Sequence, residues 1–234
     1  MSIKALTLDL DGVLWNVWPT IARAEAHLHA WLEEHYPRVA EAHTPESLRA
    51  VNKDAAGLHP HLAHDVSALR KAGLTLAAEK AGYAEFRAED AYEVFIEQRN
   101  IVELFEGVAE LLAQLSERYP LVAVSNGNAD VYKIGIGEFF HHALNPSHAG
   151  VRKPDPGIFN MAAEMLNVPL ESMLHIGDEW ETDMAGALGA GMAAVWYNPD
   201  GQEPPHTSDR LLVVDRLDAI PDAVETLAQA LRAD

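Results

Sequence analysis

Apolar runs that do not alternate with polar residues are the strongest constraint on how this chain folds. Leu121-Val122-Ala123-Val124 and Ala193-Ala194-Val195-Trp196-Tyr197 are unbroken, and residues 172–176 are nearly so. A strand with one wet face alternates; a strand covered on both faces does not. Between these runs lie helical patterns at 108–118, with Leu111, Leu112 and Leu115 on one face, at 158–166 and at 182–189. Strand and helix in regular succession predict an α/β fold whose parallel, doubly wound sheet resembles a Rossmann core. Residues 211–214 read as an edge strand and 221–232 as a closing helix.

The first strand belongs to the same sheet. Leu6-Thr7-Leu8 runs into Asp9-Leu10-Asp11-Gly12, and the period of two along a strand predicts both carboxylates on one side of its tip. Such a pair repels itself unless a cation or a shared proton relieves it. The segment that follows breaks the alternation. Helices are expected at 20–36, 44–56, 62–71, 75–81 and 88–98, with no convincing strand between Trp18 and Arg99. A helical stretch of roughly 80 residues is too long for a loop and reads as a subdomain. The expected boundaries are therefore 1–14 with 100–234 for the sheet domain, and 15–99 for the helical insert.

Charge narrows the function. Seventeen Lys and Arg against 36 Asp and Glu give a net charge of −19, which argues against nucleic acid or an anionic membrane as partner. An anionic substrate then needs a site made locally positive by a metal and a few placed cations. The absence of cysteine excludes disulfides, thiolate metal sites and a Cys nucleophile. No basic leader with an apolar stretch and no run of about 18 apolar residues is seen, so the expected location is the cytoplasm. A monomer or a homodimer is expected.

Three strands end in reactive groups: Asp9 and Asp11 on the first, Ser125 and Asn126 on the second, Asp178 on the third. Open α/β sheets bind their ligands at these carboxyl ends. Lys153 joins them from a loop stiffened by Pro154 and Pro156, and Asp183 follows Asp178 by five residues across a strand-to-helix turn, with Thr182 as the expected helix cap. His59, His61 and His64 gather in the helical insert, where a turn and helix start is the plainer reading than a metal site. Trp15 and Trp18 follow the first strand and are expected either to pack the hinge or to stack on a flat ring of a ligand.

Asp9-x-Asp11-Gly12, Ser125-Asn126, Lys153-Pro154 and Gly177-Asp178-x4-Asp183, in that order, resemble the haloacid dehalogenase-like superfamily of aspartyl-nucleophile hydrolases. The resemblance spans the whole chain and implies a helical cap where the insert lies. It also implies roles. Asp9 is the nucleophile, already ionised at neutral pH and able to form an aspartyl-phosphate. Asp11 protonates the leaving alkoxide and later deprotonates water. Mg²⁺ lies among Asp9, the main-chain carbonyl of Asp11 and Asp178. Ser125 and Lys153 complete the catalytic set by binding phosphoryl oxygens and neutralising charge; Asn126 either binds phosphate or supports the residues that do, and Trp15 binds substrate; Asp183 positions Lys153 or a metal-bound water. Residues 125–128, 177–183 and His64-Asp65-Val66 look like bacterial phosphatases of flavin mononucleotide and of 5-amino-6-(5-phospho-ribitylamino)uracil. The implied partner is a small phosphorylated metabolite.

Other readings in the same superfamily are a 2-haloacid dehalogenase and a phosphosugar mutase. The first needs no metal and no acid at the place of Asp11; the second shares every residue above. A non-catalytic binding module is disfavoured by the intact Asp9, Asp11, Lys153 and Asp178.

Overall fold

The computed structural model describes residues 2–233; Met1 and Asp234, which the sequence reading includes in the sheet domain, lie outside the described residues. The chain divides into two compact units, 1–16 with 103–234, and 17–102. The sequence reading expects the junctions at 14/15 and 99/100, and the units divide at 16/17 and 102/103.

The order of elements is β1 (Ala5–Leu8), α1 (Val17–His35), α2 (Pro37–Ala42), α3 (Pro45–Leu58), α4 (Val66–Lys80), α5 (Ala88–Arg99), α6 (Val108–Ser116), β2 (Leu121–Val124), α7 (Val131–Ile134), β3 (His142–Leu144), α8 (Pro146–Ala149), α9 (Pro156–Leu166), β4 (Met173–Gly177), α10 (Ala185–Gly189), β5 (Ala193–Tyr197), β6 (Leu211–Val214) and α11 (Ile220–Ala233).

In the first unit the strands form one six-stranded parallel sheet in the order β3-β2-β1-β4-β5-β6. This is the expected doubly wound α/β architecture. Residues of β1, β2 and β4 are buried throughout, while the edge strand β6 leaves Val213 45% exposed. Alternation sorts the buried residues to two faces. Ala5, Val122, Val124, Met173, Ala194 and Trp196 join Ile158, Phe159 and Met184 in one apolar cluster. Leu6, Leu8, Leu121, Leu174, Ile176 and Val195 point the other way and are just as buried. Helix α9 packs on β2 and β3; α11 packs on β5, β6 and α6.

β3 has no counterpart in the sequence reading. It is three residues long and takes its place through pairing to β2, His142 opposite Val122 and Leu144 opposite Val124, so tertiary context and not its own pattern makes it a strand.

The second unit is helical. Its core holds Ala24, Leu28 and Leu32 of α1, Leu48 and Val51 of α3, Leu74 and Ala77 of α4, and Ala91 and Phe95 of α5. Helix α1 starts at Val17, earlier than the irregular aromatic stretch predicted, and Pro37 opens α2 at its first turn instead of only closing α1. The two helices expected at 62–71 and 75–81 are one, α4. Gly73 does not break it; a Cβ there would stand 2.3 Å from Asn52 Oδ1 and 3.2 Å from the Asn52 backbone, so the glycine marks where α3 and α4 press together. Asp65 caps α4 by accepting the N–H groups of Ser67 and Ala68, which gives His64-Asp65-Val66 a local structural reason. His59 and His61 meet edge to face at 5.9 Å in the turn before it and join no metal-binding group found among the described residues. No helix among the described residues is long and apolar enough to cross a membrane.

Candidate active site

The site forms at the carboxyl ends of β1, β2 and β4. β1 stops at Leu8, so Asp9 and Asp11 lie just past the strand and not on it. The Asp9 N–H still reaches across to the Ile176 carbonyl at 2.9 Å, which holds Asp9 level with the tip of β4. Asp11 adds its charge to those acting on Asp9, and its carboxylate is anchored by the segment that follows. Gly12 turns the chain at φ +84°, and the Asp11 carboxylate accepts Trp15 Nε1–H at 2.8 Å. The carboxylates that do cluster are Asp9, Asp178 and Asp183, with an oxygen from each within 4.8 Å of the others.

Lys153 is at the centre. It is 1% exposed, with Nζ 3.0 Å from Asp9 Oδ1 and 2.6 Å from Asp183 Oδ1. Burial alone would make the ammonium easier to deprotonate, but Asp183 and Asp9 outweigh that and hold it charged well above the usual lysine range. Asp183 is fully buried; burial works against its charge, yet Lys153 and His175 keep its carboxyl far below the ordinary value. Both its oxygens are engaged: Oδ1 by Lys153 and His175, Oδ2 by the Glu179 N–H at 3.0 Å. Asp9 goes the other way. Burial raises its pKa well above a normal carboxylate, with Lys153 opposing and the charges of Asp183, Asp178 and Asp11 adding to the rise. Asp178 is pushed up to about 7, by burial first and then by Asp183 and Glu179.

Asp183 reaches this position because the chain after β4 makes a wide π-type turn, Trp180–Met184, before α10. Thr182 is therefore not the predicted helix cap; its hydroxyl donates to Glu179 Oε2 at 2.9 Å. Gly177 permits the approach, since a Cβ on it would lie 2.4 Å from the Asp183 carboxyl carbon. Gly12 does the same for Asp178, whose Oδ2 sits 2.0 Å from where a Gly12 Cβ would be.

The other predicted residues divide. Ser125, 2% exposed, ends β2, and its hydroxyl accepts the Gly127 N–H at 2.9 Å. Asn126 has contacts that suit the supporting alternative: its amide is spent on the Lys153 backbone, Oδ1 accepting the N–H at 2.8 Å and Nδ2 donating to the carbonyl at 3.0 Å, so it clamps the lysine loop. Trp15 is a correction to the stacking expectation. It is 0% exposed and offers no free ring face for stacking; its visible task is to hold Asp11.

Two residues escaped the sequence reading. Thr7 and His175 pair directly across β1 and β4, both 0% exposed, with Thr7 Oγ1 2.8 Å from His175 Nδ1. Their signal was a hydroxyl and an imidazole in the middle of otherwise apolar strands.

A divalent cation fits this constellation. Among the described residues Asp178 Oδ1 is buried with no hydrogen-bond partner, beside Asp9 and in an all-oxygen, cysteine-free setting. Such a donor set suits Mg²⁺ or Mn²⁺.

The model of the haloacid dehalogenase-like hydrolases matches residues 3–191. The 5-amino-6-(5-phospho-D-ribitylamino)uracil phosphatase of Escherichia coli (strain K12) is 32% identical over 215 residues, 90% of each chain. The phosphoserine phosphatase of Thermus thermophilus is 30% identical over 241 residues, covering 91% of this chain and 96% of its own. Among solved structures, a 2-haloacid dehalogenase from Pseudomonas syringae pv. Tomato DC3000 superposes with a TM-score of 0.87 at 34% identity, over 97% of this chain and all of that one.

Proposed function

Because the chain belongs to the haloacid dehalogenase-like hydrolases, we propose that it is a Mg²⁺-dependent phosphomonoesterase that cleaves a small phosphorylated metabolite through an aspartyl-phosphate on Asp9. The observation that carries this reading is the pairing of a buried Asp9, ion-paired to Lys153, with a second carboxylate two residues on, held by Trp15. An alkoxide leaving group needs a proton as it departs, and Asp11 is placed in sequence to give it; a departing halide needs none.

In this reading Asp9 attacks phosphorus and takes the phosphoryl group, Asp11 protonates the leaving oxygen, and water then releases phosphate as Asp11 takes its proton back. Lys153 stays charged throughout and offsets the negative charge that gathers around Asp9. Ser125 supplies a hydroxyl for the phosphoryl oxygens. Asp9, Asp178 and the Asp11 carbonyl are the residues that would hold the metal, which supplies charge neutralisation and lowers the barrier of bringing an anion to a carboxylate. Asp183 is excluded from that set because both of its oxygens already have donors. The helical unit acts as the cap that chooses the substrate. The similarity to the E. coli phosphatase makes 5-amino-6-(5-phospho-D-ribitylamino)uracil the first substrate to try; flavin mononucleotide, from the motif resemblance, is the second, and the cytoplasm is the proposed location.

The P. syringae neighbour favours a second reading, halide removal from a 2-haloacid. One plate separates the two. Phosphate release from a panel of phosphorylated metabolites with Mg²⁺, run beside halide release from 2-chloropropionate, should show the first only, and chelation should abolish it. Asp9→Asn should fold normally and lose roughly a thousandfold or more of that activity. Halide release from an active wild type with no phosphate release would overturn the phosphatase reading.

A further inference from the structure

A chain of buried polar contacts runs behind the catalytic lysine. Thr7 Oγ1 lies 2.8 Å from His175 Nδ1, His175 Nε2 lies 3.2 Å from Asp183 Oδ1, and that oxygen lies 2.6 Å from Lys153 Nζ. Lys153 in turn stands 3.0 Å from Asp9. Thr7, His175 and Asp183 are each 0% exposed, so no solvent completes their hydrogen bonding.

The direction of each hydrogen bond follows from Asp183. It is ionised, because Lys153 outweighs the burial that opposes its charge, and an ionised carboxylate only accepts. His175 Nε2 must then carry the proton it gives to Asp183. Burial keeps the imidazole neutral, which leaves Nδ1 bare. A bare nitrogen accepts, so the Thr7 hydroxyl is the donor. The two strands make this possible by register: Thr7 and His175 are opposite each other on the same face of the sheet, and Phe159 of α9 covers the imidazole edge to face at 5.2 Å.

Apolar side chains in these two places would satisfy the sheet without burying a hydroxyl and a ring that each demand a partner. What they would not do is give Asp183 a third fixed donor. Glu179 N–H holds one of its oxygens; His175 and Lys153 share the other. With the ring in place the carboxylate cannot rotate, and the ammonium it carries is aimed at Asp9.

We propose that His175, oriented by Thr7, is a positioning residue that locks Asp183 and thereby fixes Lys153 on the nucleophile. The proposal rests on the phosphatase reading for its consequence in turnover, but not for the hydrogen bonds themselves.

The test uses the full chain and three variants, Thr7→Val, His175→Gln and His175→Phe, with p-nitrophenyl phosphate and saturating Mg²⁺ for kinetics, and nitrogen-15 NMR of the histidine rings at neutral pH. The spectrum of His175 should show one protonated nitrogen, Nε2, and one bare nitrogen shifted by an accepted hydrogen bond, the shift disappearing in Thr7→Val. In kinetics Thr7→Val should lose about fivefold in kcat, the size of one neutral buried hydrogen bond, with KM nearly constant. His175→Phe should lose roughly tenfold or more, and His175→Gln, whose amide can still donate to Asp183, should recover most of it. An Nδ1-protonated or doubly protonated ring overturns the proposal, as does equal loss in Gln and Phe variants of matching thermal stability. If His175→Phe does not fold, Thr7→Val and the spectrum decide alone: an unchanged kcat in Thr7→Val overturns the proposal. A wild type with the expected ring and no phosphate release overturns the phosphatase reading and leaves the hydrogen-bond chain standing.

Discussion

At the scale of single residues, the site is defined by carboxylates whose environments push them apart. Asp183 is held ionised by Lys153, while burial pushes Asp178 up to about 7, well above the ordinary carboxylate value of about 3.9. The sign for Asp178 is clear. Without metal, the folded state keeps a proton that the unfolded chain has already released, so its contribution to stability is present below about pH 4 and is lost as pH rises through about 7. Mg²⁺ reverses the slope, because it binds only the ionised form. The rise in Tm on adding Mg²⁺ should therefore be larger at about pH 8 than at about pH 6, measured by thermal melts with and without the ion; an equal rise at both would remove Asp178 from the ligand set. Trp15 makes a different prediction. Its indole N–H donates to Asp11 Oδ1, and Phe keeps most of the ring volume without the donor. Trp15→Phe should lower kcat about tenfold on every phosphomonoester alike, since it takes the indole donor from Asp11 and leaves substrate contacts untouched. A loss confined to aromatic substrates would restore the stacking role that its burial argues against.

At the scale of elements, the sheet was legible because burial on both faces leaves a pattern that depends on few residues. β1, β2, β4, β5 and β6 all fall where continuous apolar runs fall, and the reactive residues at their ends follow from strand direction alone. The misses have physical causes. β3 is too short to carry a pattern of its own and is made by its neighbour β2. The break expected between 71 and 75 spans Gly73, and a sequence records the absence of its side chain but not the neighbouring Asn52 that fills the space. Asp9 and Asp11 were read as strand residues, whereas β1 ends at Leu8 and the turn at Gly12 sends Asp11 toward Trp15. The contacts of Asn126 with Lys153 and of Asp183 with His175 join distant segments, which spacing cannot reveal. The approach of the β1 turn to the β4 tip is itself testable. Gly12 has φ +84° and a Cβ there would overlap Asp178 Oδ2 at 2.0 Å, so Gly12→Ala both strains the backbone, by about 1 kcal/mol, and displaces the carboxylate. The Mg²⁺ concentration for half-maximal activity should rise about tenfold or more while the fold persists; a variant with unaltered Mg²⁺ dependence would show that the two strand ends are not held together as this structure has them.

At the scale of the whole molecule, a net charge of −19 has to coexist with an anionic substrate. Among the described residues the cation ion-paired to Asp9 is Lys153, already shared with Asp183, and the cleft beside Asp178 is lined by Glu179, Glu181, Asp200 and Glu203. A phosphate dianion therefore approaches through an unfavourable field, and its capture depends on the metal and Lys153 over the last few ångströms. Mobile ions shorten the reach of that field: the Debye length falls from about 20 Å in dilute buffer to about 8 Å at physiological ionic strength. Once substrate is bound, the buried Lys153–Asp9 pair is screened far less. Added NaCl at saturating Mg²⁺ should accordingly raise kcat/KM for a phosphomonoester about twofold to threefold between low and physiological ionic strength, and leave kcat nearly constant. A neutral competitor of similar size should show no such dependence in its inhibition constant. If kcat/KM instead falls with salt, the substrate is being drawn in by a positive surface, and the acidic field around Asp178 does not govern its approach.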